Sequence, residues 1–84
     1  MNKIIIKDNF AFLYLNKSFY DKKSIIDTIE IYTEFFKAKT EETEKYFIIK
    51  IEKINNEFSI ENLVNEFLNY LLSVQNSNII GIKK

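Results

Sequence analysis

Apolar positions along the chain fall into two periods, and the changes between them predict where strands give way to helices. Residues 9–15, Asn-Phe-Ala-Phe-Leu-Tyr-Leu, carry few polar breaks, as expected of a strand buried on both sides or paired centrally in a sheet. Ile4-Ile5-Ile6 predicts a short strand ahead of it, with Asp8-Asn9 as the turn. Asp21 then has the character of a helix N-cap, with Tyr20 placed to staple onto Ile25. The 3.6-residue spacing of Ile25, Ile29, Tyr32 and Phe36, flanked by Ile26, predicts a helix from residue 22 to about 36.

Period-two alternation returns afterwards. Residues 36–39 and 46–54 read as two strands of a hairpin, joined by a solvated connection over residues 40–45. Phe47, Ile49 and Ile51 would face the core, leaving Lys50 and Glu52 on the other face beside Tyr46 and Ile48. Ser59 repeats the N-cap signal, with Phe58 stapled to Leu63. The helix it starts carries Ile60, Leu63, Val64, Phe67, Leu68, Leu71 and Val74 on one face and should end near residues 75–78. Residues 79–84 are apolar enough to dock or to add a strand. The order strand or hairpin, helix, hairpin, helix predicts an α+β fold: a small antiparallel sheet with two helices on one face.

Length changes the picture by limiting the core. A chain of 84 residues supports a single domain over residues 1–84, which buries only about 60% of the surface its unfolded form exposes. With neither Cys nor His, disulfides and the commonest metal ligands are closed as reinforcement, so stability rests on packing or on oligomerisation. The packing material is ample: 46% of residues are hydrophobic, with eight Phe and five Tyr, a globular composition. The N-terminal residues do not have the form of a secretory leader, and no apolar run approaches the ~20 residues of a membrane span, so a cytoplasmic protein without a membrane partner is expected. Charge is balanced, with twelve Lys against twelve Asp plus Glu. The absence of Arg, the side chain best suited to bidentate phosphate and guanine contact, argues against a nucleic-acid partner.

The residue types also argue against an enzyme. General acid–base catalysis most often uses His, and an activated nucleophile needs a base beside it; no such constellation is visible, and no cofactor is expected. Glu41, Glu42 and Glu44 form the densest acidic cluster, but their spacing matches no calcium loop, and a solvated turn is the better reading. Lys22-Lys23 in the first turn of a helix oppose the macrodipole and invite an anion, though exposed lysines are ordinary there. More informative are apolar residues off the core stripes: Ile31 and Phe35, Tyr46 and Ile48, Tyr70 and Leu72. Two readings stay open for them, a wide stripe buried against the sheet and a contact surface for a partner. The sheet's edges offer a second route to a partner, by strand addition.

Two stretches carry a family resemblance. Residues 12–25, with a Leu15-Asn16 turn and Tyr20 ahead of the first helix, and residues 64–72, with Glu66-Phe67-Leu68-Asn69 on the second, resemble the small HxsD-type proteins. Those belong to His-Xaa-Ser peptide-maturation systems and related radical SAM clusters; the chain departs from them in having no Arg after the second helix. The resemblance implies a non-catalytic accessory protein in the maturation of a ribosomally made peptide (RiPP). Its partner would be the precursor peptide or the radical SAM enzyme, which itself carries the iron–sulfur chemistry. Within the second stretch Phe67, Leu68 and Leu71 read as core, whereas Glu66, Asn69 and Tyr70 are free to touch a partner. The alternative expectation is a homodimerising scaffold, similar in element order to the small dimerising subunit of the KEOPS tRNA-modification complex.

Overall fold

The computed structural model describes residues 3–80, with side chains described as far as Asn76. Its elements are β1 (Lys3–Lys7), β2 (Phe10–Asn16), α1 (Lys22–Ile31), β3 (Phe36–Glu42), β4 (Tyr46–Lys53) and α2 (Ile60–Ile80). The strands form one antiparallel sheet in the order β1-β2-β4-β3, and both helices lie on one of its faces, so the expected α+β fold is the fold observed.

The register explains the core. Leu13 stands opposite Ile49, Ala11 opposite Ile51 and Leu15 opposite Phe47, so the alternate residues of the two central strands point to one side together. All six are buried, packed against Ile60, Leu63, Val64, Phe67 and Leu71 of α2 and Ile25 of α1. Burying each of these side chains other than Ala11 stabilises by about 1.5–3 kcal/mol, which is how so short a chain forms a core without covalent staples. The sequence places β2 as either buried on both sides or central; it is central, between β1 and β4, with one face covered and the other half-buried.

Both N-caps form as expected. Asp21 Oδ1 accepts from the Ser24 amide at 2.8 Å, and Ser59 Oγ accepts from the Asn62 amide at 3.1 Å. In the hairpin of β1 and β2, Asp8 takes the positive φ (47°) at the first of two loop residues, a conformation Asp tolerates better than most.

Four boundaries differ from expectation. Helix α1 stops at Ile31, five residues short of Phe36. Tyr32 leaves helical geometry, and the amides of Phe35 and Phe36 both donate back to its carbonyl, at 2.9 and 3.1 Å, in a turn. Phe36 is buried, but as the first residue of β3, and its ring stacks on Tyr32 at 5.6 Å. The i,i+4 pair that read as helix is therefore the inside of a turn. Ile26 does not flank a core stripe; it is exposed, and Ser24 and Thr28 take the buried positions, with Thr28 Oγ1 donating to the Ser24 carbonyl at 2.7 Å.

The connection between β3 and β4 is shorter than residues 40–45, because β3 continues to Glu42. Thr43 closes the turn: its amide donates to the Tyr46 carbonyl at 2.8 Å while its hydroxyl accepts from the Tyr46 amide at 3.0 Å. An edge strand facing solvent accommodates the glutamates that depressed its strand signal. Strand β4 ends one residue early, at Lys53. Helix α2 runs past residue 78 to Ile80, so Ile79 and Ile80 continue a helix instead of opening a strand; the rest of the expected docking tail, residues 81–84, lies outside the described residues.

Candidate functional site

Because α1 ends at Ile31, the turn that follows sends consecutive aromatic side chains in opposite directions. Phe36 enters the core, whereas Phe35 stays 40% exposed. The bend at residues 54–58, between β4 and α2, brings Phe58, 42% exposed, to meet it edge to face with ring centroids 6.0 Å apart. Beneath and beside this pair lies an open groove of about 490 Å3, lined by Tyr32, Phe35, Phe58, Asn62, Leu63, Asn65 and Glu66.

Tyr32 organises the groove. Its ring lies 6.0 Å from Phe35, 6.3 Å from Phe67 and 6.0 Å from Tyr70, in tilted or edge-to-face geometry, besides its stack on Phe36. Aromatic contacts of this kind are each worth roughly 0.5–1.5 kcal/mol beyond area burial. The Tyr32 hydroxyl donates to the Glu66 carbonyl at 3.3 Å, tying the end of α1 to the middle of α2. Burial, and secondarily the neighbouring Glu66 and Tyr70, push its phenol above the usual 10, so it remains a donor at neutral pH.

Chemically, the groove has a rigid aromatic floor and a rim of two amides and one carboxylate. That composition suits holding an apolar or aromatic side chain while a few polar groups fix its backbone. Its titratable lining residues, Tyr32 and Glu66, do not make a nucleophile–base pair. Among the described residues no group of His, Cys, Asp or Glu is placed to hold a metal ion, and no helix is long and apolar enough to cross a membrane.

The candidate partner residues separate into distinct places. Phe35 and Glu66 line the groove, and Tyr70, 41% exposed, adjoins it through Tyr32. Asn69 follows Asn65 by one helical turn on the same exposed side of α2. Ile31 and Leu72 are exposed but do not line the groove. Tyr46 and Ile48 stand on the opposite side of the molecule, on the sheet face that the helices leave open: Ile48 pairs across to Tyr14, whose ring meets that of Tyr46 edge to face at 6.2 Å. Tyr32, Phe58, Asn62, Leu63 and Asn65 belong to the groove without having been singled out for it. The available signal was Phe58 itself, an aromatic residue following a polar bend, which has no strand face to occupy.

The two charged clusters meet at one residue, Glu42. Glu42 accepts from Lys17 at 2.9 Å and Lys22 at 2.7 Å, and these bonds, Lys22 first, lower its carboxyl from 4.5 to about 2. Lys23 pairs with Asp27 at 2.9 Å, one turn along α1. Lys22 and Lys23 at the start of α1 are thus both already engaged by carboxylates, as is Glu42 at the end of β3 by two lysines.

The fold and its surface define a two-layer α+β domain with an aromatic groove at the junction of its helices. No protein-family model matches the chain, and no curated protein or solved structure matches it.

Proposed function

We propose that the protein is a non-catalytic adaptor that binds a peptide segment of another protein in the groove between the end of α1 and the start of α2. The observation that carries this reading is the partly exposed Phe35–Phe58 pair lining one groove together with Leu63, Asn62, Asn65 and Glu66. Rigid aromatic residues at the mouth of a preformed pocket, with polar groups at its rim, are the usual anatomy of a binding hot spot. The resemblance of residues 12–25 and 64–72 to HxsD-type proteins supplies the partner class: a precursor peptide of a ribosomal-peptide maturation system, or its radical SAM maturase. The signature residues Glu66 and Tyr70 lie at or beside the groove, which supports reading the resemblance and the site together.

The test is titration of the protein with any short precursor-like peptide and any radical SAM enzyme that its neighbouring genes encode, for the wild type and for Phe35→Ala/Phe58→Ala. Each ring is more than half buried, so the double variant should melt roughly 10–20 °C lower and is titrated at a temperature where circular dichroism shows it folded, where binding should fall at least tenfold. Undiminished binding by the double variant, or no binding by the wild type, would sink the proposal.

A second reading, a homodimerising scaffold, is favoured by the sheet's uncovered face, where Phe10, Phe12, Tyr14 and Ile48 form a half-buried stripe. It predicts a dimer mass in light scattering at micromolar concentration, and a monomer at every concentration removes it.

A further inference from the structure

The balanced charge of the chain conceals a separation that the fold creates. Strand alternation places Lys3, Lys7, Lys37, Lys39 and Lys50 on the open face of the sheet, against Glu41 and Glu52. The carboxylates of the helices, Asp27, Glu30, Glu61 and Glu66 among them, lie on the other side of the sheet. The open face is therefore locally cationic in a protein of zero net charge.

The lysines are arranged around aromatic rings. On β2, Phe10, Phe12 and Tyr14 occupy successive open-face positions, about 6.8 Å apart along the strand. Each has a lysine directly across from it: Lys7 opposite Phe10, Lys50 opposite Phe12, Lys3 opposite Tyr14. Lys50 Nζ lies 4.6 Å from the Phe10 ring centroid and 6.0 Å from that of Phe12, and Lys3 Nζ 5.7 Å from that of Tyr14. The rings sit on a central strand paired on both sides, so they are held rigidly in one row.

We infer that this face binds single-stranded nucleic acid, with Phe10, Phe12 and Tyr14 as platforms for successive bases and Lys3, Lys7 and Lys50 as partners for the phosphates between them. Aromatic rings in a cationic groove are the general solution for single strands, because every base presents a π-face and every linkage a charge. An acidic peptide matches the lysines but leaves the row of rings unused. A second copy stacked face to face brings lysine-rich surfaces together. The absence of arginine removes bidentate contact with phosphates and base edges, but lysine still neutralises phosphate as a point charge and the rings still stack, so binding is expected to tolerate sequence.

Fluorescence anisotropy with a labelled 15-mer of thymidylate, in 50 mM salt, tests this directly. An abasic 15-mer of the same charge and polyglutamate serve as competing probes. The thymidylate strand should bind at least tenfold more tightly than either. Neutralising three phosphates gives a log–log salt slope of about −2, hence a loss of about 20-fold between 50 and 200 mM salt. Phe12→Leu, which keeps an apolar side chain, should weaken binding by about 5- to 150-fold. Lys50→Gln, which leaves every ring in place, should reduce the slope by about 0.7. No binding of thymidylate, or equal binding of the abasic strand, overturns the inference. So does tighter binding of polyglutamate, or a dimer whose formation hides this face.

Discussion

Gln75 braces a loop from the far end of α2, and removing it tests whether this contact or the hydrophobic core alone holds the two layers in place. Its Oε1 accepts from the Asp21 amide at 3.0 Å, and its Nε2 donates to the Phe19 carbonyl, across separations of 54 and 56 residues. The loop it holds leads from β2 into the N-cap of α1. Two neutral hydrogen bonds are worth roughly 1–3 kcal/mol together. The loop is exposed, so water replaces the lost partners, and truncation to Ala releases side-chain entropy worth up to ~2 kcal/mol. The net expectation for Gln75→Ala is a loss of about 0.5–1.5 kcal/mol, which in a domain of this size lowers the melting midpoint by about 3–10 °C. Gln75→Glu should be at least as damaging at neutral pH, because a carboxylate accepts from Asp21 but cannot donate to Phe19, and should recover below about pH 4 as it protonates. Thermal melts with amide exchange at Asp21 check both arms. An unchanged midpoint in both variants, with Asp21 exchange no faster than in the wild type, would refute the bracing role.

Three further outcomes follow from the same geometry. The Glu42 carboxyl is lower in the folded protein (about 2) than its usual 4.5, so its contribution is complete above pH 4.5 and lost as pH falls toward 2; acid unfolding followed from pH 6 to 2 should flatten over that window in Glu42→Gln. Phe67 is fully buried, and Phe67→Ala should cost about 3–5 kcal/mol in denaturant unfolding, whereas Phe58→Ala at the groove mouth should cost far less. Asp8→Gly removes the side-chain penalty at φ 47° and should raise stability by up to about 1 kcal/mol; a decrease would mean that the Asp side chain contributes more to the turn than its conformation costs.

Much of the architecture was legible because it is local. The alternation of Phe47, Ile49 and Ile51 specifies which face of β4 is buried whatever lies opposite, and the spacing of Ile60, Leu63, Val64, Phe67 and Leu71 does the same for α2. Asp21 and Ser59 cap helices through bonds to amides three residues on, so their chemistry declares itself in the chain. The two-layer class and the inward sides of β4 and α2 were therefore set by the sequence alone, whereas the single-sided burial of β2 and the buried face of α1, with Ser24 and Thr28 inside and Ile26 outside, were not.

Pairing across distance decided the rest. Tyr32 and Phe36 carry helical spacing, and only the need for Phe36 to open β3 opposite Lys53 ends α1 before them. The groove joins residues of α1's exit, of the bend before α2 and of α2 itself, segments that periodicity treats separately. Whole-chain charge is likewise blind to layers: twelve lysines and twelve carboxylates cancel in a sum, but strand register puts five lysines against two glutamates on the open face. A local pattern fixes the direction of a side chain relative to its own element. What that side chain meets depends on which elements the sheet order sets side by side, and that is a property of the tertiary structure.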